Sequence, residues 1–458
     1  MGEMRDKEAL AAERYRELTE TPVPALILRL SAPTIISMLV TAIYNAADTF
    51  FVGRISTEAT AAVGLAFPVM AIIQALGFFC GQGSGNYLSR MLGAGQQSET
   101  EEMAATGLAL SMLLGAALAV SAIEFIRPLA AFLGAQDTTM EETVSYLRII
   151  VLGAPFMMGQ FVINNQLRYQ GSAAYAMVGL LSGAVLNIAL DPLLIFVFHM
   201  GVAGAALATI CGQIISFFVL LAGSRRGANI RLRPANIRLN GHYLLQIVNG
   251  GAPALFRQGL AAVATILLSR AAGVYGDAAI AGMSVTTRVM MFVSSALIGF
   301  GQGYQPVCAF NYGAEKKDRV REGYFFCVRY GTIFLSVMAA LCLCFAPQII
   351  GFFRDDAEVI AVGKAALRWQ AAALPLQATV VITNMMLQSI GRGVKATVTA
   401  STRSGVFFIP LILLLPRLFG LRGVEMTQAA ADVLSVFVAA PLGRSELKKM
   451  RDDALPEP

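Results

Sequence analysis

Long apolar stretches separated by short polar ones dominate this chain, and their lengths predict the elements. A helix needs about 20 apolar residues to cross a ~30 Å hydrocarbon layer at ~1.5 Å per residue. About a dozen stretches qualify: 26–52, 60–88, 104–126, 143–165, 173–198 and 202–223, then 245–272, 278–305, 324–350, 362–388, 395–416 and 424–441. The punctuation between them repeats with an offset of about 220 residues. Ala32-Pro33 returns as Ala252-Pro253, Gly81-Gln82-Gly83 as Gly301-Gln302-Gly303, Gly93-Ala94 as Gly313-Ala314, Pro155 as Pro375 and Gly171 as Gly391. Such a repeat predicts an all-α integral membrane protein whose 12 transmembrane helices form two pseudo-symmetric six-helix lobes. The expected divisions are a cytoplasmic N-terminal tail (1–24), an N-terminal lobe (25–223), a cytoplasmic linker (224–244), a C-terminal lobe (245–441) and a cytoplasmic C-terminal tail (442–458).

Composition agrees with lipid as the solvent. At 56% hydrophobic and 14% charged residues, with mean hydropathy +0.64, too few polar side chains exist to cover a water-soluble chain of 458 residues. Basic residues crowd alternate loops: Arg5, Lys7, Arg14 and Arg16; Arg225, Arg226, Arg231, Arg233 and Arg238; Lys316, Lys317, Arg319 and Arg321; and Arg444, Lys448, Lys449 and Arg451. The bias places both termini in the cytoplasm of a cell whose inner membrane holds the chain. It also accounts for the net charge of +6 without a nucleic-acid partner. The cysteines Cys80, Cys211, Cys308, Cys327, Cys342 and Cys344 read as small packing residues, with no disulfide framework or metal spacing.

Chemistry is expected where charge stands at lipid depth, since a carboxylate at the centre of a spanning helix costs about 2.5–3.5 kcal/mol even on a mild scale. Asp48 is the acid of the first span and Asp191 the one charge of the fifth. Tyr44 and Asp48 share a helix face, as do Asn187 and Asp191, and Thr209 on the sixth span falls at a similar depth. Pro192 deprives the carbonyl of Ile188 of its donor. These oxygens predict a pocket for Na+ or a proton. The second repeat holds Leu268 where the first holds Asp48, and Ile409 near the position of Asp191, so the acids are not a demand of the fold alone. Gln74, Gln160, Asn164, Met38, Met158 and Met290 are candidates for a substrate-facing cleft, together with Asp432, for which pairing with Arg257, Arg288 or Arg403 is the alternative.

Tyr44-Asn45 with Asp48-Thr49, Asn187 with Asp191-Pro192, Thr209, and the doubled Gly-Gln-Gly followed by Asn311-Tyr312-Gly313-Ala314 resemble multidrug and toxic compound extrusion (MATE) transporters, in tone the bacterial MepA-like branch. The resemblance runs from about residue 25 to 441. It implies a cation site in the N-terminal lobe at Asp48, Asn187, Asp191 and Thr209 with Tyr44 beside it, and a bend of the first helix at Pro33. The seventh span carries Arg257 and no carboxylate, unlike relatives with an essential acid there.

The expected function is therefore secondary antiport: cationic or amphipathic organic compounds leave in exchange for H+ or Na+ by alternating access. A functional monomer in the lipid bilayer is expected, with no cofactor, no ATP and no nucleic acid. A flippase for a lipid-linked precursor on a related two-lobe fold is the nearest alternative. An intramembrane enzyme is disfavoured, because no nucleophile and base pair, His cluster or phosphate loop is present in the sequence.

Overall fold

The computed structural model describes residues 2–452, with the side chains of 9–41, 43–44, 48, 50–56 and 58–452. The side chains of Arg5, Lys7, Asn45 and Thr49, and tail residues 453–458, lie outside the described residues. In chain order the helices are α1 (Gly2–Glu20), α2 (Val23–Val52), α3 (Thr57–Gly93), α4 (Gln97–Glu124), α5 (Ile126–Phe132), α6 (Met140–Leu152), α7 (Ala154–Tyr169), α8 (Ala173–Pro192) and α9 (Gly201–Gly223). They continue with α10 (Gly241–Gly273), α11 (Asp277–Gly313), α12 (Lys317–Cys344), α13 (Ala346–Phe353), α14 (Ala357–Ala373), α15 (Gln377–Ser389), α16 (Gly393–Ser401), α17 (Phe408–Phe419) and α18 (Leu421–Asp452). Among the described residues there is no strand.

Among the described residues, eleven helices or helix runs are long and apolar enough to span, and the pair α6 and α7, bent by 48°, supplies a twelfth. Each falls on one of the expected stretches. The bend has a local cause: Gly153 ends α6, Pro155 lies in the first turn of α7, and a proline there has no amide to continue the ladder. Pro375 breaks the corresponding run between α14 and α15. Gly171 and Gly391 close α7 and α15 with φ of 81° and 83°, a conformation that side chains resist. Large apolar side chains such as Phe67 and Met291 are exposed, as lipid-facing residues would be.

By packing, the chain divides into two units, Met1–Thr21 with Ile36–Gly251, and Pro22–Ile35 with Ala252–Pro458. The first segments of α2 and α10 are thus exchanged relative to the halves drawn at 25–223 and 245–441. The doubled Gly-Gln-Gly explains the exchange. In the first unit a Cβ on Gly83 would stand 2.3 Å from the carbonyl oxygen of Ile247, so α3 accepts the start of α10 only because a hydrogen is there. In the second unit a Cβ on Gly303 would stand 2.1 Å from Ser31 Oγ, and the Ser31 hydroxyl donates to the carbonyl of Phe300 at 3.0 Å. α2 and α10 therefore each belong to both units, and each carries its proline, Pro33 or Pro253, within three residues of the division.

Both expected tails are structured where described. α1 packs in the first unit, with Arg14 Nη1 donating to Asn229 Oδ1 at 2.7 Å and Leu18 against Gly171. α18 runs on to Asp452 without a break at 442, its Glu446 held by Arg392 and Lys395.

Candidate functional site

Four helices of the first unit build the site, three of them through i, i+4 pairs on one face. α2 brings Tyr44 and Asp48, α8 brings Asn187 and Asp191, α9 brings Thr209 and Gln213, and α6 brings Tyr146. α8 and α9 meet through glycine: a Cβ on Gly183 would lie 2.6 Å from the carbonyl oxygen of Gly212, and one on Gly212 would lie 2.7 Å from that of Gly183. The close crossing puts Asn187 one turn from Gly183 and against Gly212, where its Nδ2 faces Thr209 Oγ1 at 3.4 Å. Immediately after Asp191-Pro192, α8 loses α-helical hydrogen bonding and continues as a π-helical turn, Leu193–Val197. Proline's missing amide and an irregular turn beside polar groups are what a site inside lipid tolerates.

The electrostatics bind the cluster together. Asp191 is within the field of Asp48, Tyr44 and Tyr146 are each within the field of both acids, and the Gln213 amide hydrogen-bonds the Tyr44 hydroxyl. Asp191 is 0% exposed and Asn187 and Thr209 2% each. Even so, Asp48 Oδ1, Asn187 Oδ1, both carboxylate oxygens of Asp191 and Gln213 Oε1 have no hydrogen-bond partner among the described residues. Buried oxygens of this kind carry a desolvation cost of about 1–3 kcal/mol each, more for charged groups. A cation or a proton placed among them relieves it. Hard oxygen ligands suit Na+ or H+ and not a soft transition metal.

Thus Tyr44, Asp48, Asn187, Asp191 and Thr209 are neighbours. Sequence reasoning missed Gln213 and Tyr146. Gln213 was detectable, being one turn beyond Thr209 on the same face of an otherwise apolar helix. Tyr146 had no such signal.

The residues expected at a cleft fare differently. Met158 (0% exposed) and Met290 (5%) are packed in the apolar cores of their own units. Asn164 is also committed, its Nδ2 donating to the carbonyl of Ala176 at 2.9 Å; its repeat partner Asn384 does the same to Ala396 at 2.6 Å, so this is a helix-to-helix tie of the fold. Gln160 is buried with Oε1 unpartnered, while Gln74 and Met38 are half-buried. Asp432 is occupied three ways: by Arg403 Nε at 2.7 Å, Gln377 Nε2 at 2.9 Å and Gln428 Nε2 at 2.9 Å. Arg403 reaches it from a π-helical turn, Thr402–Val406. Arg257 instead donates to Asn384 Oδ1 at 3.4 Å, and Arg288 is exposed. The carboxylate of Asp432 is therefore neutralised within the second unit.

Comparison with known proteins agrees with this architecture. The MatE family profile matches residues 33–193 and again 253–414, one match per repeat. The multidrug export protein MepA of Staphylococcus saprophyticus is 28% identical over 415 residues, covering 90% of this chain and 92% of that protein. MepA of Staphylococcus aureus strain NCTC 8325 is 29% identical over 436 residues, with 93% and 95% covered. A solved outward-facing multidrug resistance MATE transporter of the MOP superfamily superposes with TM-score 0.88 at 27% identity, over 95% of this chain and 98% of that one. With both repeats matched and nearly the whole length shared, the chain belongs to the MATE family of multidrug efflux transporters, as a MepA-like member, and is a multi-pass membrane protein and not an enzyme.

Proposed function

We propose that this transporter is an antiporter that exports cationic or amphipathic organic compounds in exchange for H+ or Na+ by alternating access. It works as a monomer in the cell inner membrane with both termini in the cytoplasm. The observation that carries the reading is Asp191, fully buried in a spanning helix with both oxygens unpartnered among the described residues and Asp48 within its field. Among the described residues no side chain pairs with this acid, in contrast to Asp432, so the neutralising charge is expected to arrive with the coupling ion.

The coupling step follows from α2. Its outer half carries Tyr44 and Asp48 in the first unit, and its inner half, up to Ile35, packs in the second. An ion that draws Asp48 toward Asp191 and Asn187 pulls on a helix that both units own. Pro33, inside α2, brings no amide hydrogen to the helical ladder, so the pull is absorbed as a bend at that point. Occupied and empty pockets then favour different helix shapes, which is the differential affinity any ligand-driven switch requires. The energy is sufficient in principle: one charge falling through 100 mV releases about 2.3 kcal/mol, and each pH unit adds about 1.4 kcal/mol.

The test is dye efflux from inverted vesicles with proton and sodium gradients imposed separately. One ion alone is expected to drive efflux, and Asp48→Asn and Asp191→Asn are each expected to abolish it with the protein still folded in the membrane. Full efflux by both variants would remove the coupling role, and no transport under any gradient would favour the flippase.

A further inference from the structure

A second charged constellation lies at the far end of the second unit, where α15 ends, α16 begins and α18 leaves its apolar stretch. Glu446 is 2% exposed and is held by three cations from two helices: Arg392 Nε at 3.1 Å and Lys395 Nζ at 2.5 Å from the start of α16, and Lys449 Nζ at 3.5 Å from α18. One carboxylate cannot neutralise three cations, and those cations keep 49%, 34% and 59% of their side chains exposed. Arg444 and Lys448 add exposed positive charge on the same turns of α18. The turn at Arg392 is also the start of α16, whose first amides have no side-chain cap.

The repeat argues that this is not a demand of the fold. At the equivalent positions of the first unit stand Ser172, Tyr175 and Arg226, so an arginine takes the place of Glu446, and Ser172 donates to Asn229 Oδ1 at 2.5 Å. A buried acid that gathers and orients cations, leaving their charge in surplus at the membrane boundary, is a cradle for an anion. Basic pockets between spanning helices at this level bind acidic headgroups. We propose that Arg392, Lys395 and Lys449, organised by Glu446, bind the phosphodiester headgroup of an anionic phospholipid in the leaflet next to the loops that carry the basic residues. The orientation proposed above identifies that leaflet as the cytoplasmic one; the binding itself does not depend on the transport reading.

The experiment uses the purified full-length protein in neutral detergent micelles, titrated with dioleoyl phosphatidylglycerol or dioleoyl phosphatidylcholine. Native mass spectrometry counts retained lipid, and thermal unfolding reads the stabilisation. Phosphatidylglycerol is expected to be retained in preference, with affinity falling about fivefold for each cation removed, so roughly 25-fold in Arg392→Ala/Lys395→Ala. Should that double variant fold poorly, Lys449→Glu, at an exposed position, is expected to show a loss of at least about fivefold. Equal retention of the two lipids, or variants that retain phosphatidylglycerol as the parent protein does, would overturn the proposal. So would displacement of the lipid by inorganic phosphate at equal concentration, which would mark a soluble-anion site. None of these readings depends on drug efflux, so the site and the antiport can fail separately.

Discussion

Two buried acids, Asp191 and Asp432, meet opposite treatment in this molecule. Asp432 has a guanidinium and two amides around it, whereas Asp191 has both oxygens unpartnered among the described residues. Arg403→Met leaves a buried carboxylate without its cation, and removing one partner of a buried pair costs about 3–5 kcal/mol. Arg403 is 29% exposed, so the low end is expected, measured as a fall in the thermal midpoint of the detergent-solubilised protein. Pairing it with Asp432→Asn should recover a large part of the loss. Gln213→Leu removes one of the unpartnered oxygens and the hydrogen bond to Tyr44. The expected outcome is little change or a rise in thermal midpoint, with coupling-ion affinity reduced about 10-fold, read from the ion dependence of efflux at the ~1.4 kcal/mol that a tenfold change represents. Unchanged ion dependence would show that the Gln213 oxygen is not part of the pocket. Asp48, Asp191 and Asn187 could be read from the sequence because charge and amide inside an apolar run are conspicuous. The partner of Asp432 could not be settled among Arg257, Arg288 and Arg403, because that choice depends on helix rotation and on the π-helical turn that aims Arg403.

Among the elements, the doubled Gly-Gln-Gly announced the repeat but not its purpose. The helix crossings provide it, since Gly83 and Gly303 are where the starts of α10 and α2 press against α3 and α11. Gly83→Ala and Gly303→Ala are both expected to destabilise by about 1–3 kcal/mol, as insertions into packed contacts do. Gly64, in the same helix as Gly83 but with nothing within 4 Å of a Cβ, is the control. There alanine is expected to stabilise by about 0.5–1 kcal/mol, because mid-helix glycine is penalised in open space. Equal effects at Gly64 and Gly83 would remove the crossing argument. The spans themselves were legible, since length and hydropathy decide membrane crossing. Their extensions were not: α18 continues past 442 because ion pairs around Glu446 hold a polar, charged segment in helix, which an apolar window does not register. Pro33 acts at this scale too. Pro33→Ala restores a backbone donor, and about 3 kcal/mol or more separates proline from ordinary residues inside a helix. A more heat-resistant protein with slower efflux is the expected result, and undiminished efflux would dismiss the bend.

At the level of the whole molecule, each repeat contributes one helix that changes unit at a proline, and only the first repeat places an acid, Asp48, on the part of that helix beyond the proline. In the proposed mechanism this asymmetry makes α2 the element that answers to ion occupancy, while α10, with Leu268 at the position of Asp48, has no ion to answer to. The account requires that ion and drug movements be opposite and obligatory. The most direct measurement places purified protein in liposomes loaded with a fluorescent reporter of pH or Na+ and adds an organic cation to one side. Drug movement in one direction is predicted to bring ion movement in the other, with Asp191→Asn silent for both although folded. Drug flux through Asp191→Asn at the parent rate, or drug flux with neither ion moving, would contradict it.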